Sequence, residues 1–146
     1  MIAQRLILLT ALAGLVGLLA GRSTSTARII GAGSGVVAAV VAAWGLIGID
    51  TPLVIDWLVP SLDFGGLAVP LHLGISRPTA AVAFVVALVA AGVQVYSTWY
   101  LRADDRYPAF AATVSIFTSG MLLVVFSRDL VLTLIGWEVM GWCSYL

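Results

Sequence analysis

The stretch TAAVAFVVALVAAGVQVYSTWYL, Thr79–Leu101, decides the fold. It carries no charged side chain and one amide, Gln94. A helix rises about 1.5 Å per residue, so a run of this length crosses a hydrocarbon core of roughly 30 Å. Working outward, four similar runs surround it, at about 2–20, 29–49, 109–126 and 130–146. The expected architecture is all-α: a polytopic transmembrane helix bundle of five spans forming one unit over residues 1–146. The fifth span is still apolar at Leu146. Arg5 ahead of the apolar run Leu6–Ala20 could also read as a signal peptide. The spans that follow favour an uncleaved first helix.

Composition agrees. Hydrophobic residues make up 62% of the chain and charged residues 10%, against about 25% charged in soluble domains. So little charge cannot cover a solvated surface, and the lipid bilayer is the expected partner. Seven arginines balance seven acids, and there is no lysine. The absence of net positive charge argues against nucleic acid as a partner. The single Cys143 excludes an intramolecular disulfide and a cysteine zinc cluster. The single His72 argues against a multi-histidine metal site.

The connections carry the polar residues. Residues 21–28 are short and polar, with Arg22 and Arg28. The longest connection, 50–78, holds four of the five prolines and sets Asp50, Asp56 and Asp63 against Arg77. It is too interrupted for a span. Arg102, Asp104, Asp105 and Arg106 join the third and fourth spans, and Ser127-Arg128-Asp129 turns between the last two. With the N-terminus outside, the cytoplasmic loops hold Arg22, Arg28, Arg102 and Arg106, against Arg5, Arg77 and Arg128 outside. Arginine bias sets orientation, and four against three favours the N-terminus outside. Gly31 and Gly35 form a small-xxx-small pair that lets helices approach closely. The Gly31–Gly35 segment is not a phosphate loop, because no strand precedes it and no acid follows at the right distance.

Glu138 is the residue to explain. It lies eight residues into the fifth run, roughly 12 Å deep at helical rise. A charge at that depth costs about 2.5–3.5 kcal/mol on insertion scales. Protonation, a basic partner or a water-filled cavity lowers that cost, and a carboxyl with those options can load and release a proton. The plainer reading is a protonated acid that ties two helices together by a hydrogen bond. Gly141 and Trp142 follow at i+3 and i+4 on the same helical face. Gly136 and Gly141 leave room for a neighbouring helix or water. Gln94, inside the third span, must find a hydrogen bond in the bundle, as packing glue or as part of a polar path. Arg128 and Asp129 read as anchors at the headgroup level, and Cys143 as an inert buried thiol.

A family resemblance rests on the segments Val95–Tyr100, Asp105–Tyr107, Phe110, Met121 and Leu134–Leu146, the last reading LIGWEVMGWCSYL. Together they resemble the antiporter-like subunit L (chain 5) family of NADH-quinone oxidoreductase, complex I. The large subunit of Mrp-type cation/proton antiporters belongs to the same superfamily. The likeness covers roughly 71–146; earlier residues match in hydropathy and placement alone. The resemblance implies a proton-translocating membrane subunit in which Glu138, in the Gly-Trp-Glu motif, carries a proton. It also implies a lysine partner in a later helix, which this lysine-free chain lacks. A truncated N-terminal fragment is therefore expected. NADH, flavin, iron–sulfur clusters and quinone would belong to other subunits, with no cofactor or metal in this chain. The implied partners are other membrane subunits, and the implied location is a bacterial cytoplasmic membrane. An Mrp-type antiporter or ion-driven uptake subunit is the alternative, and a membrane fragment without transport of its own is another. The chain departs from the family at Gln94, where members often have His. It departs again at Leu71-His-Leu-Gly-Ile-Ser76 and at Ser127-Arg-Asp129. These changes point to a divergent paralogue.

Overall fold

The computed structural model describes residues 2–19, 24–48, 54–64, 67–101 and 104–145. Five helices run in chain order: α1 (Ile2–Leu19), α2 (Thr24–Gly48), α3 (Arg77–Tyr100), α4 (Tyr107–Phe126) and α5 (Leu130–Tyr145). They occupy the five expected runs. Ser25–Gly48, Arg77–Tyr100 and Tyr107–Phe126 are long and apolar enough to cross a membrane. Ile7–Val16 and Leu130–Tyr145 are shorter apolar helical segments. The chain is an integral membrane protein built as a helical bundle.

Three helices begin before their apolar runs do, for local reasons. α2 takes in the polar turn from Thr24, five residues ahead of the expected start. α3 and α4 each carry proline within the first two positions, where the missing N–H costs no helical bond. At α3 the Ser76 N–H also donates to Thr79 Oγ1 at 2.7 Å, half of a capping box.

The long connection adds a β-ribbon to the helical bundle. It folds as an antiparallel hairpin, β1 (Val54–Phe64) with β2 (Leu67–Ile75). The register pairs Val54 with Ile75 and Phe64 with Leu67, and it shifts between Trp57 and Val59 and again between Val59 and Leu62. The second shift brackets Pro60, and Pro70 lies between the paired Leu71 and Val69. Proline has no N–H to give a ladder, so pairing skips where the two prolines come together. Those prolines break a helix but leave a bulged ribbon available.

Helix α4 is the centre of the bundle and touches α1, α2, α3 and α5. Small residues set these distances. A Cβ on Gly14 of α1 would lie 3.1 Å from the Ala112 carbonyl oxygen of α4. A Cβ on Gly35 of α2 would lie 3.2 Å from the Ala91 Cα of α3. Helix α3 buries Ala80, Ala83, Ala87, Ala91, Gln94 and Ser97, a stripe at three- and four-residue spacing that marks one face. In a bilayer lipid is as apolar as leucine, so close packing of small residues supplies the attraction between helices. Leu73, Leu122 and Phe126 are fully buried where the hairpin meets the bundle.

Candidate functional site

The α4–α5 turn fixes where α5 starts. The Asp129 carboxylate accepts from the Leu132 N–H at 2.8 Å through Oδ1 and from the His72 N–H at 3.0 Å through Oδ2. One side chain therefore caps α5 and ties it to β2. The Arg128 N–H donates to the His72 carbonyl at 3.0 Å, and Leu73 bridges Ser127. The hairpin and this turn thus lie on the same side of the bundle. The expected anchoring role of residues 128 and 129 becomes specific: what they hold is the hairpin.

From that cap α5 runs along α4. Gly136 and Gly120 face each other: a Cβ on Gly136 would lie 2.9 Å from the Gly120 carbonyl oxygen and 2.7 Å from Val124 Cγ2. Leu132, Gly136 and Cys143 form the buried side. A Cβ on Gly141, by contrast, would meet nothing within 4 Å. Of the two glycines expected to leave room, Gly136 admits α4 and Gly141 opens onto unoccupied surface.

Glu138 is exposed, on the side of α5 turned away from α4. Trp142 shares that side and is 65% exposed, and Tyr145 is 89% exposed. Trp137 is equally exposed, so the outer arc of α5 is broader than the single stripe through 138 and 142. An open groove of about 960 Å³ runs along α3 and α4, lined by Tyr96, Tyr100, Phe110, Phe117 and Cys143 among others. Glu138 does not line it. Among the described residues, no three His, Cys, Asp or Glu side chains come together as a metal site.

Gln94 sits elsewhere, at the crossing of α2, α3 and α4. It is 2% exposed. Its Nε2 donates to the Ala111 carbonyl at 2.8 Å and to Ser115 Oγ at 3.1 Å. The expected interhelical hydrogen bond is thus present. Gln94 bonds to Ala111 and Ser115 on one side of α4, whereas α5 packs against Gly120 on the other. Sequence reading missed that the serines and threonines of α1, α2 and α4 gather around Gln94; their spacing on separate helices held no signal.

Similarity to known proteins follows this layout. Residues 61–111 match the family described as NADH-Ubiquinone oxidoreductase (complex I), chain 5 N-terminus. That stretch spans part of the hairpin, all of α3 and the start of α4. The chain is 44% identical over 68 residues to NAD(P)H-quinone oxidoreductase chain 5 of Picosynechococcus sp., covering 47% of this chain and 10% of the relative. It is 37% identical over 54 residues to NADH-quinone oxidoreductase subunit L of Escherichia coli, covering 37% and 9%. It is 38% identical over 95 residues to the chloroplastic NAD(P)H-quinone oxidoreductase subunit 5 of Chlorokybus atmophyticus, covering 63% and 13%. The matched part spans about a tenth of the length of these curated relatives. Residues 61–111 are thus similar to the N-terminal part of the chain 5 (subunit L) family of NADH-quinone oxidoreductase.

Proposed function

We propose that the chain is the N-terminal part of a proton-translocating membrane subunit of NADH-quinone oxidoreductase, and that Glu138 passes the proton. The observation that carries the reading is the match over 61–111, followed in the same chain by a Gly136-Trp-Glu138 motif whose Glu138 stands on the open side of α5. A carboxyl inside a membrane helix needs a partner, a cavity or a proton. α4 packs on the opposite side of α5, so the group that tunes Glu138 comes from another helix or from water. A basic neighbour holds the carboxylate charged, and moving or neutralising that neighbour returns the proton. Redox cofactors belong to other subunits of the complex, and those subunits are the partners. The membrane is the bacterial cytoplasmic membrane, with the N-terminus and the hairpin outside.

The direct test is Glu138→Gln in the complete complex, assayed for proton uptake into vesicles driven by quinone reduction. Gln keeps the shape and much of the hydrogen bonding but carries no proton. The expected outcome is a large loss of pumping with the complex assembled; wild-type pumping would refute the role of Glu138. Topology is tested with single cysteines at Ser61 and Asp105 in a Cys143→Ser background. A membrane-impermeant reagent added outside should label position 61 and spare position 105. The reverse pattern would invert the orientation.

A further inference from the structure

At the crossing of α1, α2, α3 and α4 lies a small, partly open cavity of about 10 Å³ whose polar lining comes from Thr10, Ser34, Gln94, Ser115 and Thr118. We propose that this cavity is a binding site for one water molecule, held by Gln94 Oε1 and by the hydroxyls of Ser34 and Thr118. The proposal is independent of whether the protein moves ions.

Three observations converge. First, Gln94 Oε1 is buried and accepts no hydrogen bond. The amide cannot be turned to relieve this. Nε2 faces the Ala111 carbonyl at 2.8 Å, and a flip would set carbonyl against carbonyl. A buried acceptor left without a donor is costly, and a single water removes that cost. Second, the hydroxyl protons around the cavity are spent within their own helices. Ser34 donates to the Gly31 carbonyl at 3.0 Å, Ser115 to Ala111 at 3.0 Å and Thr118 to Val114 at 2.7 Å. A hydroxyl that has donated keeps acceptor lone pairs. The polar atoms at the cavity therefore ask for a donor, and water brings two protons: one for Gln94 Oε1 and one shared by the Ser34 and Thr118 oxygens in a three-centre bond. Third, the size fits. About 10–15 Å³ of probe-occupied space holds one water, and a buried water makes 2–4 hydrogen bonds. No acid or base lines the cavity, so nothing there favours a cation over a neutral donor.

Such a water would join helices that share few direct polar bonds. Gln94 already links α3 to α4. Through the water its carbonyl would also reach Ser34 on α2 and Thr118 a turn further along α4. Gly31 keeps the approach open: a Cβ there would lie 2.8 Å from Oε1.

Water-edited solid-state NMR of the full protein in lipid bilayers tests the site. The readout is magnetisation transfer from water to the Gln94 side-chain carbonyl, compared with Ala83, a buried alanine of α3 that does not line the cavity. Transfer to Gln94 should build up well ahead of transfer to Ala83. In the double variant Ser34→Ala/Thr118→Val, which preserves volume and helix, it should fall to the Ala83 level. Build-up at Gln94 no faster than at Ala83 in the wild type would overturn the proposal. So would wild-type build-up in the double variant, because the water would then not be held by these hydroxyls.

Discussion

Gln94 and Glu138 are the two polar residues that stand out inside the apolar helices, and the bundle treats them in opposite ways. Gln94 is enclosed by three helices, with both amide hydrogens engaged. Glu138 stands on the side of α5 that α4 leaves uncovered. An amide inside a membrane is satisfied once its donors and acceptor are paired, and packed helices can do that. A carboxyl that must change charge needs a partner that changes with it. Enclosure suits glue, and openness suits a group whose partner comes from elsewhere.

Replacing Glu138 by Gln is the sharpest way to break this contrast. Pumping in the assembled complex should fall by about a hundredfold, the scale of a lost proton-transfer group. Stability should stay within about 0.5 kcal/mol, as for other exposed positions. A variant that pumps normally but unfolds would reverse the assignment and make Glu138 the glue.

The two glycines of α5 test its two sides. Gly136→Ala drives a methyl toward the Gly120 carbonyl and Val124, so it should cost about 1–3 kcal/mol by overpacking. Gly141→Ala meets nothing and should be neutral or stabilising by up to about 1 kcal/mol. Unfolding in mixed micelles titrated with sodium dodecyl sulfate would measure both. Equal effects would mean that α5 is oriented otherwise.

Asp129→Ala removes the cap on α5 and the tie to the hairpin together. The expected loss is about 0.5–2 kcal/mol, seen as faster amide exchange at both Leu132 and His72. Acceleration at Leu132 alone would show that the hairpin does not depend on this carboxylate. Gln94→Leu should cost little, about 0.6 kcal/mol, the typical worth of an interhelical hydrogen bond in a membrane protein. The same unfolding titration reads it, and a loss above about 2 kcal/mol would mean that Gln94 holds more than the two bonds to α4 and the bound water.

Helices were legible wherever the apolar run was long. Thr79–Leu101 announces a span by itself, because burying so many uncharged residues has one inexpensive solution, a helix in lipid. Helix starts were less legible. Hydropathy marks where apolar residues begin, whereas Pro78, Pro108 and Ser76 mark where hydrogen bonding begins. The hairpin was hidden because proline density argues against a helix without arguing for a ribbon. Its pairing is between residues up to about twenty positions apart, a relation that local composition does not encode.

Chemistry and medium came from the sequence alone: a membrane protein without lysine, with one acid deep in an apolar run and a Gly-Trp-Glu motif of recognisable kind. Those properties depend on which residues are present and how many neighbours in the chain are apolar. Sidedness came only from the tertiary structure. That Gly136 meets α4 while Gly141 does not, that Asp129 reaches back to His72, and that hydroxyls from three helices gather near Gln94 are facts about helix rotation. Rotation is decided by which small residues let two backbones approach, and that is settled jointly by both partners of each contact.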